Sequence, residues 1–444
     1  MADSDDAPRH RSVPASRIGR LGGFTRLAGG IAGGILGEGA KRLANGERPR
    51  LDQLILTPGN ARRLADRLAH LRGAAMKLGQ MISMDAGDLL PPELAEILSR
   101  LRERADFMPP RQLEKVLAEE WGKDWRRKFR RFEPRPIGAA SIGQVHRAMT
   151  PDGRMLAIKV QYPGVAQSID SDVDNVASLL KLTGLLPPEL DIAPLLAAAK
   201  EQLREEADYE REGEMMMRFR SMLEGREQFV VPELDTDLTT PRILAMSFEE
   251  GSPIETLADE PQDIRDEAFA HLIELVGREL FDSKLMQTDP NFANYRWQAK
   301  TGRIVLLDFG AAREVSDGLS NDYRTLINAG LAEDREAVLQ AAIEAGFVNP
   351  VAVERHPERM RKAVDIIVTQ MAQGEKLDFG DRAFVPEIRD TVMPIAQDRR
   401  SWHLPPAETL FVQRKVSGTA LLGARLKARV DVRGIVERIL AETA

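Results

Sequence analysis

Met286 to Gly310 reads MQTDPNFANYRWQAKTGRIVLLDFG. Asp289, Asn294 and Asp308 stand at spacings suited to holding divalent metal ions beside phosphate oxygens. Two short apolar runs, Phe292 to Gln298 and Arg303 to Phe309, flank Lys300-Thr301-Gly302, which predicts a hairpin that brings Asp308 back beside Asn294. A hard cation such as Mg²⁺ takes oxygen ligands, commonly one or two carboxylates or amides plus the substrate's own phosphates, and these residues supply such a set. Alone, Asp289-Pro290 reads as a turn and Asp308-Phe309-Gly310 as a strand end. The joint order D-x4-N, hairpin, D-F-G is the metal and base half of a protein-kinase-like site, with the first Asp facing the attacking group.

Upstream, Ile137 to Tyr162 reads IGAASIGQVHRAMTPDGRMLAIKVQY. Ile142 to Met149 and Met155 to Tyr162 are β-rich and flank Thr150-Pro151-Asp152-Gly153, so they predict a second hairpin. Against a kinase glycine loop, the chain has Gly138, Ala140, Gly143 and Val145, with alanine in place of the middle glycine. A Cβ at Ala140 restricts the backbone where it should close on phosphates. Lys159 on the following strand can bridge the α and β phosphates. An ammonium between Ile158 and Val160 on a buried strand needs a carboxylate. The charged helical segment Glu201 to Phe219 offers one: Glu212 first, with Glu205, Glu206 and Asp208 as alternatives. Charge pattern alone favours a solvated helix face there. Met215, Met216 and Met217 read as packing. Ile243 to Phe248 predicts a strand, Glu249-Glu250-Gly251 a hinge whose amides hold adenine, and Gln262 to Lys284 a long helix.

The 444 residues exceed the size at which one core stops growing, so two lobes and an extension are expected. A net charge of -7 with interspersed signs gives no support to nucleic-acid binding. The absence of cysteine excludes disulfides, Fe–S clusters and Cys-ligated zinc, and six scattered histidines offer no helical His pair for zinc. Residues 1–16 are polar and read as a disordered tail without a secretory apolar region. LAGGIAGGILG, Leu27 to Gly37, carries G-x3-G spacing but is shorter than the ~20 residues a spanning helix needs, so it reads as a packing or interfacial segment. Asn60 to Asp85 has apolar residues at helical steps, and Pro92 to Glu103 follows as a second helix. Trp121, Trp125, Phe129 and Phe132 recur along a helical segment rich in Lys and Arg. Its basic face suits anionic lipid, or its aromatics dock in a core while its charges stay in water. After Gly310 the pattern is helical over Asn321 to Glu333, Arg335 to Gly346, Arg359 to Gly374, Pro386 to Met393 and Pro406 onward. No A-P-E sequence or long Ser/Thr-bearing activation segment follows the D-F-G, which weakens the case for a conventional protein substrate.

Lys77-Leu78-Gly79-Gln80, Ala139 to His146 (AASIGQVH), Ile158 to Gly164 (IKVQYPG), Glu206 to Tyr209 (EADY), Gln287 to Asn291 (QTDPN) and Asp308-Phe309-Gly310 together resemble the UbiB family of atypical kinase-like proteins, in its coenzyme Q branch. The resemblance covers about residues 15–435. It implies an α+β, bilobal protein-kinase-like fold: an extension over 17–120, a β-rich N-lobe with a helical insert over 121–250 and a helical C-lobe over 251–444. By position it implies that Lys77, Gly79 and Gln80 form a K-x-G-Q motif on the extension, over the place of a peptide substrate. Glu206 and Asp208 form the E-x-D motif that contacts it. Gly138, Ala139, Ala140, Ser141, Val145, Lys159 and Glu212 surround ATP, Asn294 and Asp308 hold Mg²⁺, and Asp289 and Lys159 serve catalysis. Gly138 departs from the family's alanine-rich loop, whose first alanine it replaces. The resemblance further implies ATP and ADP as ligands, quinone-precursor lipids and ubiquinone-biosynthesis enzymes as partners, and peripheral contact with an inner membrane, bacterial or on the mitochondrial matrix side. Three functions remain open on these residues: an ATPase-like kinase supporting ubiquinone synthesis, a kinase of a small molecule, lipid or protein, and a nucleotide-responsive scaffold with little turnover.

Overall fold

The computed structural model describes residues 107–140, 142–182, 193–372, 376–401 and 405–443. The Leu27 to Gly37 segment, the two helices expected over Asn60 to Glu103, the K-x-G-Q residues and Ser141 lie outside them. Among the described residues the helices are α1 (Pro110–Trp121), α2 (Val165–Leu182), α3 (Ala193–Glu206), α4 (Tyr209–Met222), α5 (Gln262–Phe281), α6 (Asp317–Leu331), α7 (Arg335–Glu344), α8 (Pro350–Arg355), α9 (Pro357–Ala372), α10 (Phe384–Gln397), α11 (Ala407–Leu426) and α12 (Val432–Glu442). The strands are β1 (Arg131–Phe132), β2 (Gly138–Ala139), β3 (Gly143–Met149), β4 (Met155–Gln161), β5 (Phe229–Val230), β6 (Ile243–Ser247), β7 (Ser252–Pro253), β8 (Leu285–Gln287), β9 (Tyr295–Gln298), β10 (Arg303–Leu306), β11 (Ala312–Glu314), β12 (Leu377–Asp378) and β13 (Arg429–Val430). The chain divides into two units. One ends at Glu214 and takes in Glu233–Phe248, and the other holds Met215–Pro232 and everything from Glu249.

The first unit is built on an antiparallel sheet in the order β1-β3-β4-β6, with β2 also paired to β3. The β3–β4 hairpin sets Val145 opposite Lys159 and Met149 opposite Met155. Its turn closes where Gly153 takes φ +94°, a conformation glycine adopts without a Cβ penalty. β4 lies between two partners and is buried on nearly every residue, which is why it reads as a continuous apolar run. Ile158, Val160 and Leu244 pack with Leu113, Val116 and Leu117 of α1 in one core.

Two expectations for this unit need correction. The basic aromatic segment is not one helix: α1 ends at Trp121, Gly122 takes φ +84°, a 3₁₀ turn follows over Trp125–Lys128, and Phe132 sits in β1. The aromatics cluster, with Trp121 to Phe129 centroids at 5.2 Å and Trp125 to Phe132 at 5.1 Å, while Arg126, Arg127 and Lys128 stay exposed. Glycine at positive φ ended the helix, and ring packing set the rest. The Glu201 to Phe219 segment is also broken. Asp208 accepts the Arg211 N–H at 3.0 Å and caps the start of α4, so a carboxylate that charge pattern assigned to a helix face begins a helix instead.

In the second unit the predicted hairpin is β9–β10, with Leu306 opposite Tyr295, inside a sheet ordered β5-β10-β9-β7. Its turn places Gly302 at φ +66°. The first apolar run begins as a 3₁₀ turn over Phe292–Asn294, closed by the Asn291 side chain accepting the Ala293 N–H at 3.1 Å. β8 pairs with β11, setting Gln287 opposite Ala312. The helical remainder matches in type but not in number: α8, β12 and β13 went unforeseen, and the final helix breaks at Lys427, which takes φ +50°. Met216 is buried, as packing predicts, but Met217 is exposed.

Candidate functional site

In the first unit, Lys159 lies on β4, which pairs with β3 on one side and β6 on the other. Its ammonium donates to both oxygens of Glu212, at 2.8 and 2.9 Å. Of the four carboxylates proposed from sequence, Glu212 is the partner seen here. The pair is deeply buried: Glu212 is fully enclosed and Lys159 is 7% exposed. The Lys159 ammonium also sits 5.0 Å from the Tyr209 ring centre, a cation–π contact that sequence reasoning missed. Tyr209 begins α4, so one helix turn presents both the ring and the carboxylate.

The loop before β3 is narrow. Gly138 pairs with Val145, Ala139 with Gln144, and the Ala140 N–H donates to Gly143 O at 2.9 Å. A Cβ at Gly143 would fall 2.5 Å from Val160 O and 2.6 Å from the Tyr209 hydroxyl, so close approach requires that glycine. At Gly138 a Cβ would meet nothing within 4 Å among the described residues, so packing against them does not require glycine there. Behind the loop, His146 donates through Nδ1 to Glu133 O at 2.9 Å, so its Nε2 accepts from the Gln144 amide at 2.8 Å. Burial lowers its pKa to about 4, against a raising contribution from the Glu133 carbonyl.

In the second unit, hydrogen bonds through Gln287 tie Asp289 to Asp308, and Asn294 bonds Asp289 directly. The Gln287 side chain accepts the Asp289 N–H at 2.9 Å and donates to Asp308 O at 3.3 Å. The Asn294 amide nitrogen donates to Asp289 O at 3.3 Å, which leaves its oxygen as the atom able to meet a cation. Asp308 Oδ1 accepts the Gly310 N–H at 3.0 Å, which fixes the carboxylate's rotamer. Leu307 N–H to Asn294 O at 3.0 Å closes the base of the hairpin. An amide oxygen and a carboxylate from adjacent loops are hard donors of the kind Mg²⁺ takes alongside phosphate, so these residues fit that ion. Phe309 is buried against Phe219, with ring centroids 5.1 Å apart.

Beneath these loops is a group that the sequence did not single out. The Lys415 ammonium lies 3.0 Å from a Glu279 oxygen and donates to the Tyr295 hydroxyl at 3.0 Å. Burial would lower the lysine's pKa, but Glu279 and Tyr295 outweigh it and hold the group above its ordinary value. Burial raises the Glu279 carboxyl, against the opposing pull of Lys415. The ammonium is the firmer of the two charges: it has a carboxylate and a phenol oxygen, whereas the carboxylate has the ammonium and a long 3.4 Å Gln287 N–H. The signal was present in the pattern. Lys415 falls among Phe411, Val412 and Leu422, all buried in α11, and Glu279 follows buried Leu272 and Leu275 in α5.

Comparison with known proteins places these features. The ABC1 atypical kinase-like domain matches residues 100–342. The chain is 37% identical over 435 residues to the mitochondrial atypical kinase COQ8B of Danio rerio, covering 97% of this chain and 69% of that protein. It is 36% identical over 445 residues to the mitochondrial atypical kinase COQ8 of Saccharomyces cerevisiae, covering 99% of this chain and 88% of that one. Among solved structures, the Mycobacterium tuberculosis protein Rv3197, determined in complex with erythromycin, superposes with a TM-score of 0.61 at 25% identity, over 86% of this chain and 95% of that one. A β-sheet unit with the Lys159–Glu212 pair, a mainly helical unit with the D-x4-N and D-F-G loops, and these matches lead to one conclusion: the chain has an α+β kinase-like fold and belongs to the UbiB family, through its ABC1 atypical kinase-like domain.

Proposed function

We propose that the protein binds Mg-ATP and transfers or hydrolyses its γ-phosphoryl group in support of coenzyme Q biosynthesis. The observation that carries this reading is the buried Lys159–Glu212 pair. Taking two ions out of water costs several kcal/mol each, and an apolar pair of similar volume would serve stability as well or better. A positive charge kept at such cost on the central strand is explained by a polyanionic ligand. In this reading Lys159 orients the α and β phosphates, and the loop of Gly138, Ala139, Ala140, Ser141 and Val145 borders the nucleotide. Asn294 and Asp308 bind Mg²⁺, and Asp289 orients the water or acceptor hydroxyl. A divalent cation there would neutralise charge on the phosphates, the main contribution to phosphoryl transfer. The coenzyme Q assignment is supported by the names of the relatives, which are mitochondrial COQ8 kinases. Quinone-precursor lipids at a membrane surface are the class of partner this implies. Among the described residues no helix is long and apolar enough to cross a membrane, and contact at the surface fits that.

The test is phosphate release by the purified protein with ATP and Mg²⁺. Wild type is expected to turn over, and Asp308→Asn to lose at least about tenfold in kcat. Wild-type protein that neither binds nor hydrolyses ATP would refute the proposal. Labelled phosphate recovered on a lipid or protein would identify a kinase, and its recovery in solution an ATPase.

A further inference from the structure

We infer that Lys415 is a positioning residue of this site: from α11 it holds, through Glu279 and Tyr295, the two loops that carry Asp289, Asn294 and Asp308. The inference rests on the function proposed above for those three residues. α11 lies beyond residue 342, where the matched kinase-like domain ends.

The hydrogen bonds form a continuous path. Lys415 is 1% exposed and touches Glu279 and the Tyr295 hydroxyl. Glu279 accepts the Gln287 N–H at 3.4 Å, and the Gln287 side chain then grips Asp289 and Asp308 on either side. Tyr295 directly follows Asn294. Lys415, Glu279, Gln287, Asn294, Asp308 and Phe309 line one small cavity. One turn along α11, Gly418 approaches the same loop, where a Cβ would overlap the Pro290 Cβ. Two residues of one helix therefore bear on the segment that carries Asp289 and Asn294.

Stability alone does not account for the pair, because replacing a buried ion pair by well-packed apolar residues is often neutral or stabilising. A hydrocarbon at residue 415 could not direct the Tyr295 hydroxyl, and without the ammonium the Glu279 carboxylate would lose its anchor beneath Gln287. What the ions supply is direction.

The decisive variant is Lys415→Met with Glu279→Leu, which removes both charges together and leaves neither buried unpaired. Its cooperative melt is expected to survive. Amide hydrogen exchange over residues 286–294 and 307–311 is expected to rise at least about fivefold, reporting loosened loops. With Mg-ATP, kcat is expected to fall at least about tenfold while KM for ATP changes less than about twofold, because the nucleotide contacts on β4 are untouched. Lys415→Arg, which keeps the charge, should recover most of kcat. Should the double variant fail to fold, Tyr295→Phe removes a single hydroxyl and is judged by the same two readouts. Unchanged exchange together with wild-type kcat would overturn the inference. The exchange readout needs no turnover, so wild-type protein inert toward ATP would refute the proposed function and still leave the positioning role to be decided by exchange.

Discussion

Lys159 and His146 lie on adjacent strands of one sheet, and Glu212 reaches Lys159 from α4. Removing the Glu212 carboxylate leaves the ammonium of Lys159 buried without the two oxygens that hold it. Glu212→Ala is therefore expected to cost about 3–5 kcal/mol, read from the urea midpoint. Substitution at Gly138 should behave oppositely: among the described residues a Cβ there meets nothing within 4 Å, so Gly138→Ala should change stability by less than about 0.5 kcal/mol. His146 makes the protein acid-sensitive. Its folded pKa, lowered to about 4, lies below the ordinary 6.5, so the unfolded chain binds the proton more readily between those values. Stability from this group is complete above pH 6.5 and is lost as pH falls toward 4, by about 3 kcal/mol in all. Urea unfolding at pH 7 and pH 4.5 checks it: His146→Leu should remove most of this drop, and an unchanged drop would assign it elsewhere. Lys159 and its need for a carboxylate were legible because a charge in an apolar run is conspicuous. Tyr209 was not, because its ring meets Lys159 only once β3, β4 and α4 have come together.

At the scale of elements, the hairpins were readable and the breaks less so. Alternation and turn chemistry located β3–β4 and β9–β10, since both signals are local in sequence. The ends of helices depended on other things. Gly122 divided the aromatic segment from α1, and Asp208 used its carboxylate to cap α4. Close approach adds constraints that no periodicity displays. Gly143→Ala should force β3 away from Val160 and Tyr209, and overpacking of this kind typically costs about 1–3 kcal/mol, measurable by urea unfolding. Gly418→Ala should displace Pro290, next to Asp289, at a similar cost. Its effect on phosphate release should exceed its effect on the melting temperature. Wild-type turnover in the Gly418→Ala protein would show that α11 does not bear on that loop.

Across the whole molecule, the two units carry different parts of the proposed chemistry: the lysine and glycine-loop residues in one, the metal and base residues in the other. A ligand that binds the folded chain stabilises it by mass action, by about 2.7 kcal/mol at a hundred times Kd. Wild-type protein should show a thermal shift with Mg-ATP, and Lys159→Ala should lose most of it; an unchanged shift would count against the role given to Lys159. Motif order gives no sign that Met215–Pro232 belongs to the second unit; the pairing of β5 with β10, far along the chain, puts it there.

By itself the sequence determined the family, the kinase-like fold class and the candidate residues Lys159, Glu212, Asp289, Asn294 and Asp308. Each belongs to a short motif whose spacing is set by a turn, a strand or a helix step. Only the tertiary structure decided that Gln287 joins two of those motifs and that Lys415 lies beneath them. The reason is physical: a hydrogen bond between residues 120 or more positions apart leaves no periodicity in the chain, and a buried lysine and a solvated one are written with the same letter.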